Sequence, residues 1–195
     1  MNNGKILIHV CCGICGAYVI EKLKPEFRDL VLFFYNPNIH PEEEYLKRLE
    51  VAEKLSKIYD IFLIVGDYNP EKYFKAAQGY EKEPEGGARC PICFRLRLNE
   101  AAKTAKENGC DYFTTTLTMG PQKKAEIVNA VGREEAEKFG IKFWDDDFKK
   151  KDGFKKTMEI AKKHNFYRQN YCGCVYSKME REAYDKNKNR RLSAV

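Results

Sequence analysis

Four short runs of near-continuous apolar residues punctuate the first 120 positions of the chain. They are Lys5-Ile6-Leu7-Ile8-His9-Val10, Asp29-Leu30-Val31-Leu32-Phe33-Phe34-Tyr35, Ile61-Phe62-Leu63-Ile64-Val65 and Asp111-Tyr112-Phe113-Thr114-Thr115-Thr116. Runs this short, apolar at consecutive positions, read as strands buried on both faces. Between them the spacing becomes helical. Tyr45, Leu49, Ala52 and Tyr59, with Leu46 and Leu55 beside them, mark one helix face, and Phe94, Leu98, Ala101, Ala102 and Ala105 mark another. Pro41 and Pro91 suit first-turn positions, and Asn108-Gly109 stops the second helix. Strands alternating with helices predict an α/β fold built on an open parallel sheet.

Beyond residue 122 the pattern becomes helical, over Ala125–Phe139, Asp152–His164 and Cys174 to about Asp185. Gln78–Arg89, rich in glycine and proline, reads as a loop. With no repeat and no long linker, residues 1–195 read as a single α/β domain: an α/β core over 1–121, a helical part over 122–185, and a basic, frayed tail over 186–195.

A length of 195 residues suits one domain. With 43% hydrophobic and 13% aromatic residues the chain is not disordered. No window approaches the ~20 apolar residues of a membrane span, and no membrane association is expected. The N-terminus runs into an apolar strand without a small-residue cleavage site, which predicts a cytoplasmic protein. The net charge of +6 is compatible with a nucleic-acid partner.

The chemistry is carried by cysteine. Of eight, seven cluster: Cys11, Cys12 and Cys15 after the first strand, Cys90 and Cys93 as C-P-I-C, and Cys172 and Cys174 as C-G-C. Cys110 stands alone and reads as a small buried hydrophobe. In an open α/β sheet, ligands bind outside the carboxyl ends of the strands, where Cys11–Cys15 falls. Helix N-termini there favour thiolate over thiol. Three readings compete. Cys12-Gly13-Ile14-Cys15 is a C-x-x-C placed as in thiol–disulfide oxidoreductases. Two cysteine pairs are also enough for a zinc site, in a module that binds RNA without catalysis. Alternatively, thiolates hold an iron–sulfur cluster. Seven clustered thiols exceed one four-ligand site by three, which favours a cluster together with a second metal or a redox-active pair.

Arg95 and Arg97, Lys123 and Lys124, and Arg168 with Gln169 flank these cysteine loops and suit phosphate contact. The loop opened by Tyr35 and Asn36 leaves the second strand on the same side, as a candidate base- or sugar-reading element. Asp145-Asp146-Asp147 offers metal ligands or a proton donor. No phosphate-cradling glycine motif comes after the first strand, so neither ATP nor NAD is expected.

These motifs together resemble one family. His9-Val10-Cys11-Cys12-Gly13-Ile14-Cys15, Phe34-Tyr35-Asn36-Pro37-Asn38-Ile39-His40-Pro41, the C-P-I-C turn with Arg95 and Arg97, Thr114-Thr115-Thr116-Leu117, and Tyr167-Arg168-Gln169-Asn170-Tyr171-Cys172-Gly173-Cys174 are similar, in order, to the QueH family of cobalamin-independent epoxyqueuosine reductases. The resemblance spans about residues 5–178. It implies a fold related to the adenine-nucleotide α-hydrolase and PP-loop enzymes. It also implies two-electron removal of the epoxide oxygen from epoxyqueuosine in a tRNA anticodon loop, with a [4Fe-4S] cluster, an additional mononuclear iron and no cobalamin. On this basis Cys11, Cys12, Cys90 and Cys93 are expected at the cluster. Cys172 and Cys174, with Cys15, are expected at the second metal or as a reducing pair. Asp147, with Asp145 behind it, is the expected proton donor, and a ferredoxin or flavodoxin the expected electron donor. Two stretches depart from the family pattern: Gly13-Ile14 replaces the usual Ala-Pro, and Thr118-Met119-Gly120-Pro121-Gln122 replaces Ser-Pro-Tyr-Gln.

Overall fold

The computed structural model describes residues 2–192. Five parallel strands form one sheet in the order β3-β2-β1-β4-β5. They are β1 (Asn2–His9), β2 (Phe27–Phe34), β3 (Phe62–Val65), β4 (Tyr112–Thr115) and β5 (Lys142–Phe143). The alternation of side chains along β1 explains its apolar continuity. Ile6 and Ile8 enter a core shared with α1 (Gly13–Leu23), α2 (Glu42–Tyr59) and α6 (Gly153–Lys163), whereas Leu7 enters one shared with α4 (Arg89–Glu107) and α5 (Ala125–Phe139). In register, Leu7 lies between Val31 and Phe113, and His9 between Phe33 and Thr115. Strand order reverses at β1, so the crevice at the carboxyl ends of β1 and β4 is the topological switch point, where sheets of this kind bind ligands.

Gly13 opens α1 directly against α2. A Cβ there would lie 2.6 Å from the Val51 carbonyl oxygen, so the close approach of the two helices requires glycine at this position.

Three features differ from the expectation. β5 lies within the stretch read as helical, so the sheet does not end at residue 121. Two residues are too short for any periodicity to show. α3 (Pro70–Ala77) falls where no helix was expected, because it buries only Tyr73 and Ala77. The tail expected to fray from residue 186 continues α7 (Val175–Leu192), and residues 193–195 lie outside the described residues. No described helix is long and apolar enough to cross a membrane.

Candidate active site

β1 ends at His9, and Cys11 and Cys12 carry the chain into α1, with Cys12 at its N-cap and Cys15 in its first turn. The three sulfurs lie within 4.8 Å of one another. Hydrogen bonds from the Cys12 and Cys15 thiols hold the Cys11 pKa well below the ordinary thiol value. The same contact with Cys11 pushes Cys12 up to about 11, and the contacts with Cys11 and Cys12 push Cys15 up. The trio thus favours a single thiolate on Cys11. The Thr116 hydroxyl accepts the Cys11 N–H at 3.2 Å and donates to its sulfur at 3.4 Å. The Gln169 amide donates to the Cys12 sulfur at 3.3 Å.

Beneath the cysteine loop, His9 is fully buried. Its Nε2 faces the Tyr35 carbonyl at 3.1 Å and its Nδ1 the Thr115 hydroxyl at 2.8 Å. Burial, with Arg97 nearby, lowers its pKa to about 3, so the ring is neutral. A carbonyl only accepts, which assigns the proton to Nε2.

A second group of thiols faces the first. Cys90 lies in the first turn of α4, its sulfur accepting the Gly86 N–H at 3.1 Å. Burial, reinforced by Cys172 and Cys174, pushes Cys93 up to about 12. Cys174 packs with Tyr73 and Ala77 and accepts the Ser177 N–H at 3.4 Å. Arg48 secures the loop that bears this pair, donating to the carbonyls of Cys172 at 2.9 Å and Tyr171 at 3.1 Å. Gly173 adopts φ 124°, a conformation favouring glycine, with Arg48 and Ile39 close by. The structure brings Cys15 together with Cys11 and Cys12, because all three belong to one strand-to-helix turn.

Between the two groups opens a cleft of ≈ 500 Å³. Cys11, Cys15 and Cys172 line it, with Arg48, Arg97, Lys123, Arg168 and Arg181 as cations. Gln169 also lines it, but its amide reaches a thiol.

The other expected residues stand elsewhere. Tyr35 and Asn36 are 2% and 1% exposed and present no surface to RNA. Tyr35 stacks on Phe33, and Asn36 donates to the Val10 carbonyl at 3.0 Å. Arg95 is tied to Glu134 and Glu135 on α5, at 2.6 and 3.1 Å. Asp147 and Lys124 line a separate cleft with Asp145 and Asp146. There Asp147 faces Lys149 and Lys150, each at 3.9 Å, and is not among the residues lining the cysteine cleft. Glu85 and Glu180 are the acids that do line it. Neither these nor Arg48 carried a sequence signal, since isolated charged residues look alike until packing places them.

Cys110 is buried in the core between β4 and α4, outside both thiol groups. Cys110→Ser is expected to cost roughly 1–3 kcal/mol for the buried hydroxyl, read by thermal melting, while metal content and turnover stay at the level of the unaltered chain.

A family model described as "Epoxyqueuosine reductase QueH" matches residues 6–180. Relatives bearing that description include proteins from Staphylococcus epidermidis, 39% identical over 184 residues (90% of this chain, 77% of the relative), and Acinetobacter baylyi, 41% identical over 177 residues (90% and 81%). One from Thermotoga maritima is 36% identical over 181 residues (91% and 92%). Among solved structures, the U34-tRNA thiolase NcsA from Methanococcus maripaludis with its [4Fe-4S] cluster is similar at a TM-score of 0.57 and 14% identity, covering 99% of this chain and 68% of that one. At this identity the likeness concerns the fold, and it agrees with the open parallel sheet expected.

Proposed function

The chain belongs to the QueH family of epoxyqueuosine reductases, and from that premise we propose that the cleft between Cys11 and Cys172 is where it deoxygenates epoxyqueuosine in tRNA. The reaction takes two electrons and two protons, breaks both C–O bonds of the epoxide, and leaves an alkene and water. The observation that carries the reading is the trio of cysteine sulfurs within 4.8 Å of one another at the switch point of the sheet. The donor set fits an iron–sulfur cluster: three convergent sulfurs, one already favoured as thiolate, with four more cysteines nearby. Cys11, Cys12 and Cys15 would hold one part of the metal centre, and Cys90, Cys93, Cys172 and Cys174 the rest, including the additional iron. Such a cluster, when bound, supplies electrons singly, from an external one-electron donor of the ferredoxin or flavodoxin class.

The remaining roles fall to side chains of the cleft. Lys123 Nζ is the proton-bearing group suited to the departing oxygen. Burial alone would depress its pKa, but Cys172 and Cys11 raise it overall, so it stays charged and stabilises a developing oxyanion. It takes the role expected of Asp147. Thr116 and Gln169 orient the Cys11 and Cys12 sulfurs. Arg168 is exposed at the cleft and meets an RNA phosphate. Arg168→Met is therefore expected to weaken binding to all tRNA sequences alike, and to reduce the slope of log affinity against log salt by about 1.

The test is anaerobic purification with iron, sulfide and zinc assays, followed by turnover of epoxyqueuosine-containing tRNA. A coloured protein with about five irons that forms queuosine supports the reading. A colourless zinc protein without turnover refutes it, and activity that survives complete metal removal points to a dithiol reaction instead.

A further inference from the structure

Five charged side chains among the described residues are buried: Glu44, Arg48, Arg89, Arg97 and Glu135. Taking a charge out of water is costly unless an opposite charge accompanies it. Four of the five obey this rule. Arg48 holds Glu44 at 2.7 Å, Arg89 meets Glu180 at 3.3 Å, and Glu135 receives Arg95 at 3.1 Å and Lys138 at 2.7 Å.

Arg97 is the exception. It is 2% exposed, and no described carboxylate pairs with it. Its Nη2 donates to Asn36 Oδ1 at 2.5 Å, and its Nε has no partner. Asn36 is itself anchored to the Val10 carbonyl, which fixes the guanidinium beneath the cysteine loop. From there it borders the cleft beside Cys11, and its charge acts on Cys11 and on Cys93. The missing counter-charge is therefore sulfur. A guanidinium this deep and this tightly held is also poorly placed for the RNA phosphate contact expected from its sequence position.

We propose that Arg97 is the fixed counter-charge of the thiolate-held metal centre, a positioning residue that raises the potential at which that centre accepts an electron. The proposal rests on the iron–sulfur reading above. Net charge and hydrogen bonding around the sulfurs set the potential of such centres. Accepting an electron makes the centre more negative by one unit, so a buried cation stabilises the reduced form more than the oxidised one.

The experiment compares the full chain, prepared anaerobically, with Arg97→Met and Arg97→Lys. Three quantities are read: iron and sulfide content, the reduced-to-oxidised ratio of the metal centre at fixed applied potentials, and affinity for tRNA at two salt concentrations. Arg97→Met is expected to lower the reduced-to-oxidised ratio on the order of tenfold, equivalent to about 59 mV for one electron. Arg97→Lys restores most of the ratio, and tRNA affinity and its salt slope are unchanged in both. An unchanged ratio in Arg97→Met, or a fall in tRNA affinity and salt slope in its place, overturns the proposal. Should Arg97→Met fail to fold, Arg97→Gln, which keeps an amide donor for Asn36, is read in the same way. If both neutral variants lose iron while Arg97→Lys keeps it, charge is what the centre requires and the proposal stands. Loss of iron in all three makes the role one of shape and overturns it. An unaltered chain without iron removes the functional reading as well, whereas an iron-loaded chain indifferent to Arg97 removes this proposal alone.

Discussion

Cys11→Ser is expected to leave the anaerobically prepared chain with little of its iron and to lower turnover by at least ~100-fold. That figure is a lower bound, because removing a group that merely orients a metal ligand already costs about 10–100-fold. The substitution removes more than one sulfur. Cys11 is the thiol whose charge the other two stabilise, through hydrogen bonds from Cys12 and Cys15, and the thiolate is the form that binds metal. A serine hydroxyl stays protonated near neutral pH and supplies no comparable ligand. The backbone loses little, since the Cys11 N–H still reaches Thr116 and β1 ends before it. A folded, colourless protein is therefore the expected product, with its thermal transition close to that of the unaltered chain when both are measured metal-free. Cys90→Ser is expected to abolish turnover as well, through the facing group. Full colour and turnover in Cys11→Ser would remove the trio from the metal centre and return Cys90 and Cys93 to first place as ligands.

The cysteine loops are legible in the sequence because their positions derive from local pattern. A run such as Ile6-Leu7-Ile8 announces a buried strand, and the loop leaving a parallel strand must lie at the carboxyl edge of the sheet. The partners of polar residues are not legible. Asn36 and Arg97 are 61 positions apart, and only the packing of α4 against β1 and β2 brings them together. Tyr35 and Asn36 accordingly read as a surface loop, when they support the cysteine turn from below. Asp147 departs from its expected place for a related reason. Its position depends on β5, a two-residue strand with no periodicity of its own, which directs the acidic segment to a cleft lined by Lys124, Lys149 and Lys150.

The largest effect on stability is expected from Arg48→Met. The Arg48 side chain is 2% exposed and serves three groups at once: Glu44 through Nε, the Cys172 carbonyl through Nη1, and the Tyr171 carbonyl through Nη2. Methionine fills much of the same volume but strands the Glu44 carboxylate, whose other partner is the Tyr167 hydroxyl at 2.6 Å. Breaking a buried ion pair from one side costs about 3–5 kcal/mol, because the remaining charge is buried without compensation. Of the total stability of a small domain, ~5–15 kcal/mol, that is a large share. The loss also reaches the metal centre, since the Cys172–Cys174 loop depends on the same guanidinium. The variant is expected to unfold at lower denaturant and to retain less iron, even where it remains folded. Adding Glu44→Gln separates the two consequences. Neutralising the stranded carboxylate is expected to recover part of the stability, a coupling a double-mutant cycle measures directly. Iron retention is not expected to recover with it, because the carbonyls of Tyr171 and Cys172 still lack their donor. A double variant no more stable than Arg48→Met would show that the cost lies in the loop and not in the buried charge.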